Sequence, residues 1–372
     1  MSRLELSPAH PAHPAHPALV LAVVVALTLA ACSRSPASPT EGGLTEAAAC
    51  AGRMDTARVP LSDLGTGCYL GFQGGLYPNA SNTMPAAHRS AGLAAAARIR
   101  PLDTEGRPSA TGRIVLLSIG MSNTTQEFCS DGGLPGSCQP TSFVAQATAD
   151  PAVNHTTLAL VNGASGGKVA DAWTSPSLPD YDRIRTSWLA PLGLSERQVQ
   201  IAWVKVANAQ PRTSLPDTAA DAYRLVRQLG QIARALKVRY PNLQQVFLTS
   251  RLYAGYATST LNPEPYAYES GFAVKWAVEA QIAEMSGRAA DARAGTLRYD
   301  DGTAPWIAWG PYPWAAGTRA RSDGLTWVAS DFAADGTHPA SAARQKVGAM
   351  LLGAFKSSAE TECWFLAGRR CD

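Results

Sequence analysis

A carboxylate and an imidazole lie three residues apart near the C-terminus, in Asp335-Gly336-Thr337-His338. A tight turn can bring these two side chains within hydrogen-bond distance, so that Asp335 holds His338 in the tautomer that accepts a proton. Far upstream, an apolar run from Ile114 breaks at Gly120 and presents Ser122 at the start of the next element. A serine, a histidine and an aspartate together indicate nucleophilic acyl transfer, in which the serine attacks an ester carbonyl. The alternative interpretation of Ser122 alone is a helix N-cap.

Two other segments could stabilise the negative charge that forms during such an attack. A glycine-rich segment, 162–167, follows a second apolar run, and glycines let backbone N–H groups approach an oxyanion closely. Asn208 follows a third run, and its side-chain amide is a second possible donor, although turn asparagines are common. We expect Asp331, the other acid near the histidine, to be solvated.

The histidines outside the N-terminal leader are His88, His155 and His338. We interpret His88 and His155 as packing or surface residues, which leaves His338 as the candidate base. The three positions do not form a recognisable zinc motif, and no Cys-x-x-Cys occurs. The chemistry outlined above requires neither a metal nor an organic cofactor, so none is expected.

These residues need a scaffold that gathers them at one edge. From Arg113 onward, apolar runs alternate with helical patterns, which predicts a parallel sheet with crossover helices, and functional groups in such sheets lie at the carboxyl ends of the strands. We therefore predict a three-layer α/β/α sandwich with a five-stranded parallel sheet. The predicted strands are 114–118, 157–161, 199–206, 245–249 and 305–309, and the predicted helices are 85–98, 218–238, 266–285 and 341–356.

The order of the four segments resembles the SGNH/GDSL hydrolase superfamily. Gly120-Met121-Ser122-Asn123 is similar to its first block, in the G-x-S-N form of the carbohydrate acetylesterase branches. Residues 162–173 resemble the second block, Val206-Ala207-Asn208-Ala209 a worn third block, and Asp335-Gly336-Thr337-His338-Pro339 the last. The resemblance covers about residues 113–357 and implies a flavodoxin-like fold with Ser122, Asp335 and His338 as the catalytic residues.

The same resemblance implies an oxyanion hole formed by Ser122, Gly166 and Asn208. Gly163 and Gly167 are the alternatives to Gly166. The chain departs from the family pattern at Met121, where Asp or Gln is usual, and in the third block, where Val206 and Ala209 replace a glycine and an aspartate.

The N-terminus has the pattern of an export signal. The uncharged apolar run from Leu19 to Ala31 is too short for a membrane span of ~20 residues and ends in Leu29-Ala30-Ala31-Cys32, which resembles a bacterial lipobox. We predict a lipoprotein signal peptide over residues 1–32 and lipidation of Cys32, which would anchor the protein to a membrane of the cell envelope. The alternative is ordinary secretion after cleavage at a nearby alanine. Ser33 favours the outer membrane if the cell has two membranes.

Six further cysteines agree with an oxidising compartment: Cys50, Cys68, Cys129, Cys138, Cys363 and Cys371. Six cysteines allow 15 connectivities, which the sequence does not decide. Their clustering favours three local pairs, Cys50–Cys68, Cys129–Cys138 and Cys363–Cys371.

Composition separates the chain into segments and excludes some partners. The 372 residues are 46% hydrophobic, which is ample for a core, and carry a net charge of only +3 without a basic block, so nucleic acid is not an expected partner. Residues 33–47 are predicted to be a flexible tether, 48–112 an extension packed on the main domain, 113–357 the hydrolase domain and 358–372 a disulfide-containing tail.

Together these patterns predict a lipid-anchored serine esterase of small acyl esters, with O-acetyl groups on carbohydrate as the substrate. Four aromatic residues near strand ends could stack on sugar rings, although such residues more often pack inside the protein: Trp173, Trp309, Tyr312 and Trp314. Two alternatives stay open. One is a carbohydrate O-acyltransferase that uses the same residues, and the other is a non-catalytic glycan-binding lipoprotein on the same fold.

Overall fold

A computed structural model describes residues 50–130 and 137–371. The strands of these residues are β1 (Cys68–Tyr69), β2 (Phe72–Gln73), β3 (Ile114–Gly120), β4 (Leu158–Asn162), β5 (Val199–Lys205), β6 (Gln245–Leu248) and β7 (Trp306–Trp309). Strands β3 to β7 form a central five-stranded sheet in the order β4-β3-β5-β6-β7, in which all neighbouring strands are parallel. Strands β1 and β2 form a two-stranded antiparallel pair that precedes it in the chain.

Helices cover both faces of the large sheet. They are α1 (Leu61–Leu64), α2 (Ala86–Ala96), α3 (Ser122–Phe128), α4 (Phe143–Ala149), α5 (Pro179–Arg183), α6 (Asp221–Arg239), α7 (Tyr266–Met285), α8 (Ser341–Ser357) and α9 (Glu362–Phe365), with short 3₁₀ and π turns between some of them. The predicted α/β/α sandwich is confirmed. Helix α7 has the predicted bounds, and the five predicted strands are each found within two residues of them.

Alternate residues of β3 enter two different cores. Val115, Leu117 and Ile119 join the core that holds α6 and α7, whereas Ile114 and Leu116 join the core that holds α4, α8 and α9. Every residue of β3 is buried. A strand that packs on both faces needs apolar residues in succession, which is why its sequence is nearly continuous in Ile, Val and Leu.

The strand order places the candidate site. Strand β3 pairs with β4 on one side and with β5 on the other. The next strand of the chain is therefore added on one side of β3 and the later strands on its other side, so the strand order reverses at β3. Loops after such strands diverge and leave a crevice at their carboxyl ends. Ser122 follows β3 and Asn208 follows β5, which places both residues at this edge.

The segment before the sheet contacts the main domain through buried groups. The Tyr312 hydroxyl accepts a hydrogen bond from the Leu61 N–H at 3.1 Å. The ammonium group of Lys275 donates to the Gln73 carbonyl at 2.8 Å. The Tyr69 ring packs edge-on against Tyr268, with 4.8 Å between ring centroids. These contacts order the segment against α7 although its own apolar content is low.

The six cysteines form three disulfides, Cys50–Cys68, Cys129–Cys138 and Cys363–Cys371, which are the local pairs favoured by their clustering. The predicted signal peptide, Cys32 and the tether lie outside the described residues. Within the part of the chain that the structure describes, no helix is long and apolar enough to cross a membrane.

Candidate active site

Gly120 allows the chain to turn sharply from β3 into α3. A Cβ atom at this position would lie 2.2 Å from the Lys205 carbonyl oxygen and 2.4 Å from Oγ1 of Thr124, so no other residue fits without movement. Helix α3 begins at Ser122, directly after the turn. The first N–H groups of a helix have no partner within it, so the Ser122 N–H is free to donate to a bound group.

The segment 333–338 forms a compact turn that holds the aspartate and the histidine. Gly336 has φ +62° and lies under the Tyr256 carbonyl, where a Cβ atom would be only 1.8 Å from that oxygen. Oδ1 of Asp335 accepts the backbone N–H groups of Thr337 and His338 at 2.9 and 3.0 Å. The carboxylate is therefore fixed by its own loop before it contacts the imidazole.

Ser122, His338 and Asp335 form a continuous hydrogen-bonded chain. Oγ of Ser122 lies 2.8 Å from Nε2 of His338, and Nδ1 of His338 lies 2.5 Å from Oδ2 of Asp335. A carboxylate can only accept, so Nδ1–H is the donor and Nε2 accepts the serine proton. Ser122 and His338 are 216 positions apart along the chain, and the fold brings them together.

The surroundings of Asp335 favour its charged form. Burial acts against ionisation, but the backbone N–H groups of His338 and Thr337 and the His338 side chain outweigh it and lower the pKa of Asp335 below its ordinary value. An ionised carboxylate at this position keeps the imidazole in the orientation and tautomer required for proton transfer.

Asn123 links α3 to the turn that holds His338. Its buried side-chain amide donates to the Thr337 carbonyl at 2.9 Å. Sequence reasoning included Asn123 in the first block but assigned it no contact. The bond fixes the distance between the residue after Ser122 and the residue before His338.

Beneath the site, a buried ion pair fastens α3 to the sheet. Nζ of Lys205 lies 2.6 and 2.5 Å from the two carboxylate oxygens of Glu127, and neither side chain is exposed to solvent. Oγ1 of Thr124 donates to the Lys205 carbonyl at 2.5 Å. Burial lowers the pKa of Lys205 to about 8, although Glu127 beside it acts in the opposite direction. Neither charged residue was singled out from the sequence, since a single Lys or Glu is usually a surface residue.

The glycine-rich loop is attached to the end of β3. The Ser165 N–H donates to the Gly120 carbonyl at 3.1 Å, two residues before Ser122. Gly166 is exposed, and a Cβ atom there would contact nothing within 4 Å, so space does not require a glycine at this position. Gly167 has φ +75°. Gly163 is buried, and a Cβ atom there would lie only 2.7 Å from the Ser118 carbonyl oxygen.

Asn208 lies buried at the end of β5 and is held from two sides. Its side-chain Nδ2 donates to Oδ1 of Asp221, the first residue of α6, at 3.0 Å. Its backbone carbonyl accepts a hydrogen bond from Nδ2 of Asn262 at 3.0 Å. Burial raises the pKa of Asp221 above its ordinary value, although the bond from Asn208 acts against this shift. Asp221 was missed because it lies 13 residues from Asn208 in the sequence.

Burial decides the role of the aromatic residues considered for sugar stacking. All four are buried, with exposed fractions of 0% for Trp173, 8% for Trp309, 6% for Tyr312 and 1% for Trp314. They therefore pack inside the protein, which is the more common role of such residues. Asp331, which we expected to be solvated, is also buried and accepts a hydrogen bond from Nζ of Lys346 at 2.7 Å, so that expectation is wrong.

His88 and His155 lie away from the triad. His88 is buried, stacks on Trp306 and has Nε2 2.8 Å from the Ile307 carbonyl oxygen, whereas the exposed His155 has Nε2 3.0 Å from the Asp150 carbonyl oxygen. Over the described ranges, no cluster of three or more His, Cys, Asp or Glu side chains could hold a metal ion.

Two clefts in the described part of the chain are not lined by Ser122, Asp335 or His338. The larger, of about 600 Å³, is lined by Arg100, Trp364 and Arg370 among others, at the amino end of the sheet. The side chains of His338 and Asp335 are 26% and 34% exposed, and Ser122 is half-buried, so all three residues are partly accessible to solvent.

Comparison with known proteins gives structural matches only. No protein-family model and no curated protein matches the sequence. A carbohydrate esterase family 2 enzyme with a carbohydrate binding domain, from Corynascus thermopiles (Myceliophthora fergusii), matches at 15% identity over 67% of this chain and 68% of that chain, with a TM-score of 0.36. A protein from Parabacteroides merdae described as a GDSL-like lipase matches at 14% identity over 69% of this chain and 97% of that chain, with a TM-score of 0.36.

A third match is SsfX3, a salicylyl-acyltransferase from a tetracycline biosynthetic pathway, at 14% identity over 68% of this chain and 57% of that chain, with a TM-score of 0.32. The resemblance of the motifs to SGNH/GDSL hydrolases stands beside these structural matches to proteins described as a carbohydrate esterase, a GDSL-like lipase and an acyltransferase. At these TM-scores the likeness carries no argument about activity, which rests on the geometry of the site.

Proposed function

We propose that this protein is a serine esterase that removes small acyl groups, with O-acetyl groups on carbohydrate as the substrate class. One observation carries the proposal: Ser122 Oγ lies 2.8 Å from Nε2 of His338, whose other ring nitrogen contacts an ionised Asp335. A helix N-cap serine has no need of an imidazole oriented in this way.

The mechanism follows from the contacts. His338 takes the proton of Ser122 as its Oγ attacks the ester carbonyl, and it then gives that proton to the departing alcohol oxygen. Water, deprotonated by the same imidazole, then attacks the acyl-serine, and His338 returns this proton to Oγ of Ser122 as the bond to the acyl group breaks and the acid leaves. Asp335 orients His338 and stabilises the imidazolium in both steps.

Three donors are available for the tetrahedral oxyanion. They are the N–H at the start of α3, an N–H of the glycine-rich loop and the second amide hydrogen of Asn208. We assign the loop donor to Gly166, because its position follows the segment that Ser165 attaches to β3. One such donor typically contributes about 2.7–4 kcal/mol to transition-state stabilisation.

The partial exposure of the site supports an ester substrate with a small acyl group on a larger alcohol. Because His338 and Asp335 are partly exposed, an ester on the surface of a polymer can reach Ser122 without entering a deep tunnel. The aromatic residues first considered for sugar stacking are buried, so the carbohydrate part of the proposal rests on this accessibility and on the resemblance of the first block. The proposed lipid anchor at Cys32 would place the enzyme at a cell-envelope membrane, and three disulfides support an oxidising compartment.

The decisive experiment measures acetate release from acetylated polysaccharides and p-nitrophenyl acetate, together with labelling by a fluorophosphonate probe. Ser122→Ala and His338→Ala should abolish labelling and reduce kcat/KM by on the order of 10⁴-fold or more, and Asp335→Asn by about 10³–10⁴-fold. Ser286→Ala, at an exposed serine directly after α7, serves as a control and should retain labelling.

The outcomes separate the alternatives. A well-folded protein that takes no probe would contradict the proposal and favour a glycan-binding protein without catalytic activity. Labelling without acetate release, combined with acyl transfer to an added acceptor sugar, would favour the O-acyltransferase, in which a sugar hydroxyl replaces water in the second step.

A further inference from the structure

The larger cleft, of about 600 Å³, has a strongly positive lining. Three of its lining residues are the exposed arginines Arg100, Arg369 and Arg370, and no Asp or Glu is among the described residues that line it. The cleft includes Ile114, the first residue of β3, whereas Ser122 follows the last, so it lies at the edge of the sheet opposite the proposed triad. Clefts that hold organic ligands usually have volumes of about 300–1,000 Å³. This cleft is therefore large enough for more than a single small ion.

The guanidinium groups of this cleft have no carboxylate partner among the described residues. The side chains of Arg369 and Arg370 form no hydrogen bond or ion pair with those residues. Nε of Arg100 donates to the Arg98 carbonyl at 3.3 Å, and the other two guanidinium nitrogens have no partner in the same part of the chain. A guanidinium stays charged and presents a planar fork of N–H groups that fits two oxygens of one oxyanion. These side chains can therefore bind an anion without first breaking an internal ion pair.

A buried glutamine of the sheet holds the backbone of Arg100. The Arg100 N–H donates to Oε1 of Gln200 at 3.1 Å, and Nε2 of Gln200 donates to the Arg100 carbonyl at 2.8 Å. Gln200 lies in β5 and is 1% exposed. Ordering a segment on binding costs free energy, so a backbone that is already fixed lowers this cost.

The C-terminal tail is fastened at the same cleft. The Cys363–Cys371 disulfide closes a loop that contains the other two arginines, and both of its cysteines line the cleft. The Ala367 N–H donates to the Ala152 carbonyl at 2.8 Å, which attaches this loop to the segment before β4. The arginines of the tail are thus kept near the one that the sheet holds.

The rest of the lining suits a sugar chain that carries acid groups. Ile99 and Trp364 contribute apolar atoms, and the exposed Thr156 contributes a hydroxyl that has no partner among the described residues. Nη1 of Arg113 donates to the Thr156 carbonyl at 2.8 Å, which adds a fourth arginine beside the cleft. A sugar unit with a carboxylate offers apolar C–H groups, hydroxyls and an oxyanion together. The flat surface of a membrane does not match a concave cleft.

We propose that this cleft binds an acidic polysaccharide, with the carboxylates of successive sugar units held by Arg100, Arg369 and Arg370. The inference goes beyond the proposed esterase function and does not depend on it, because the cleft shares no residue with the proposed triad. Such binding would retain the protein on an acidic polymer independently of any reaction at Ser122.

The test measures the Kd of the full chain for polygalacturonate at low ionic strength, with neutral dextran and phosphatidylglycerol vesicles as parallel probes. Arg369→Ala/Arg370→Ala should raise the Kd for polygalacturonate by about tenfold, and Arg100→Gln by about threefold, because each change removes a charge-assisted hydrogen-bond donor. Arg227→Ala/Arg288→Ala removes two exposed arginines that do not line the cleft, and it should change the Kd by less than about twofold. Dextran and the vesicles should bind weakly or not at all.

The other outcomes contradict the inference. Equal losses of affinity in the two double variants would show that net charge, not the cleft, binds the polymer. Absent binding of polygalacturonate, equal binding of dextran, or binding to the vesicles alone would overturn the inference as well. If Arg369→Ala/Arg370→Ala does not fold, an unchanged Kd in Arg100→Gln overturns it. Wild-type protein that binds polygalacturonate but takes no fluorophosphonate probe would overturn only the proposed function.

Discussion

The side-chain amide of Asn123 donates to the backbone carbonyl of Thr337 at 2.9 Å, across 214 positions of sequence. These two residues are immediate neighbours of the proposed nucleophile and of the proposed base. The bond makes the spacing between Ser122 and His338 a property of one buried contact as well as of the overall fold.

Asn123→Ala should therefore reduce both stability and turnover. The Thr337 carbonyl would lose its partner in a buried place, which costs about 1–3 kcal/mol, and kcat for p-nitrophenyl acetate should fall by about tenfold or more as the triad loosens. Urea unfolding and steady-state kinetics measure the two effects. Asn154→Ala is the matched control, because Asn154 also donates to a backbone carbonyl, that of Trp364, but at the other end of the sheet. Equal kcat losses in both variants would contradict the linking role of Asn123.

Asn208 and Asp221 should behave as one unit. Asn208→Ala removes a proposed oxyanion donor and should lower kcat by about 10²–10³-fold, and Asp221→Ala should lower it less, because it only releases the amide. The double variant should lose no more than Asn208→Ala alone, since the acid acts through the amide. Glu196→Ala, which removes the ion pair to Arg239 at the far end of α6, is the control. Fully additive losses would show that the two residues act independently.

Two disulfides of similar loop size allow a matched test of stability against activity. Cys129–Cys138 spans 9 positions and begins at the end of α3, whereas Cys363–Cys371 spans 8 positions in the C-terminal tail. Replacing either pair by alanine should cost about 2–4 kcal/mol of unfolding free energy. Only removal of Cys129–Cys138 should also lower kcat, since it frees the end of the helix that carries Ser122. Similar kcat values in the two variants would argue against that coupling.

Local patterns were enough to predict the layers of the fold. Strand β3 is buried on both faces, so its sequence is continuous in apolar residues, and α7 has the predicted bounds, Tyr266–Met285. The turn around Gly336 is also local, because Asp335 accepts the N–H groups of Thr337 and His338, two and three residues further along the chain. Sequence spacing alone could therefore indicate that Asp335 and His338 meet.

The remaining features depend on contacts between distant segments. Asp221 approaches Asn208 only after α6 has packed on the sheet, and Lys205 meets Glu127 only because β5 lies beside β3. Residue type alone left two roles open for Trp314, because an aromatic residue after a strand looks the same in sequence whether it faces solvent or the protein interior. Burial of that kind is decided by tertiary packing.

The tight approach of Gly120 to the Lys205 carbonyl has a consequence for how this chain can diverge. Any larger residue at 120 would push β3 away from β5 and displace the Ser122 hydroxyl. Descendants of this chain should consequently tolerate hardly any drift at 120, so that searches for distant kin ought to give this glycine particular weight.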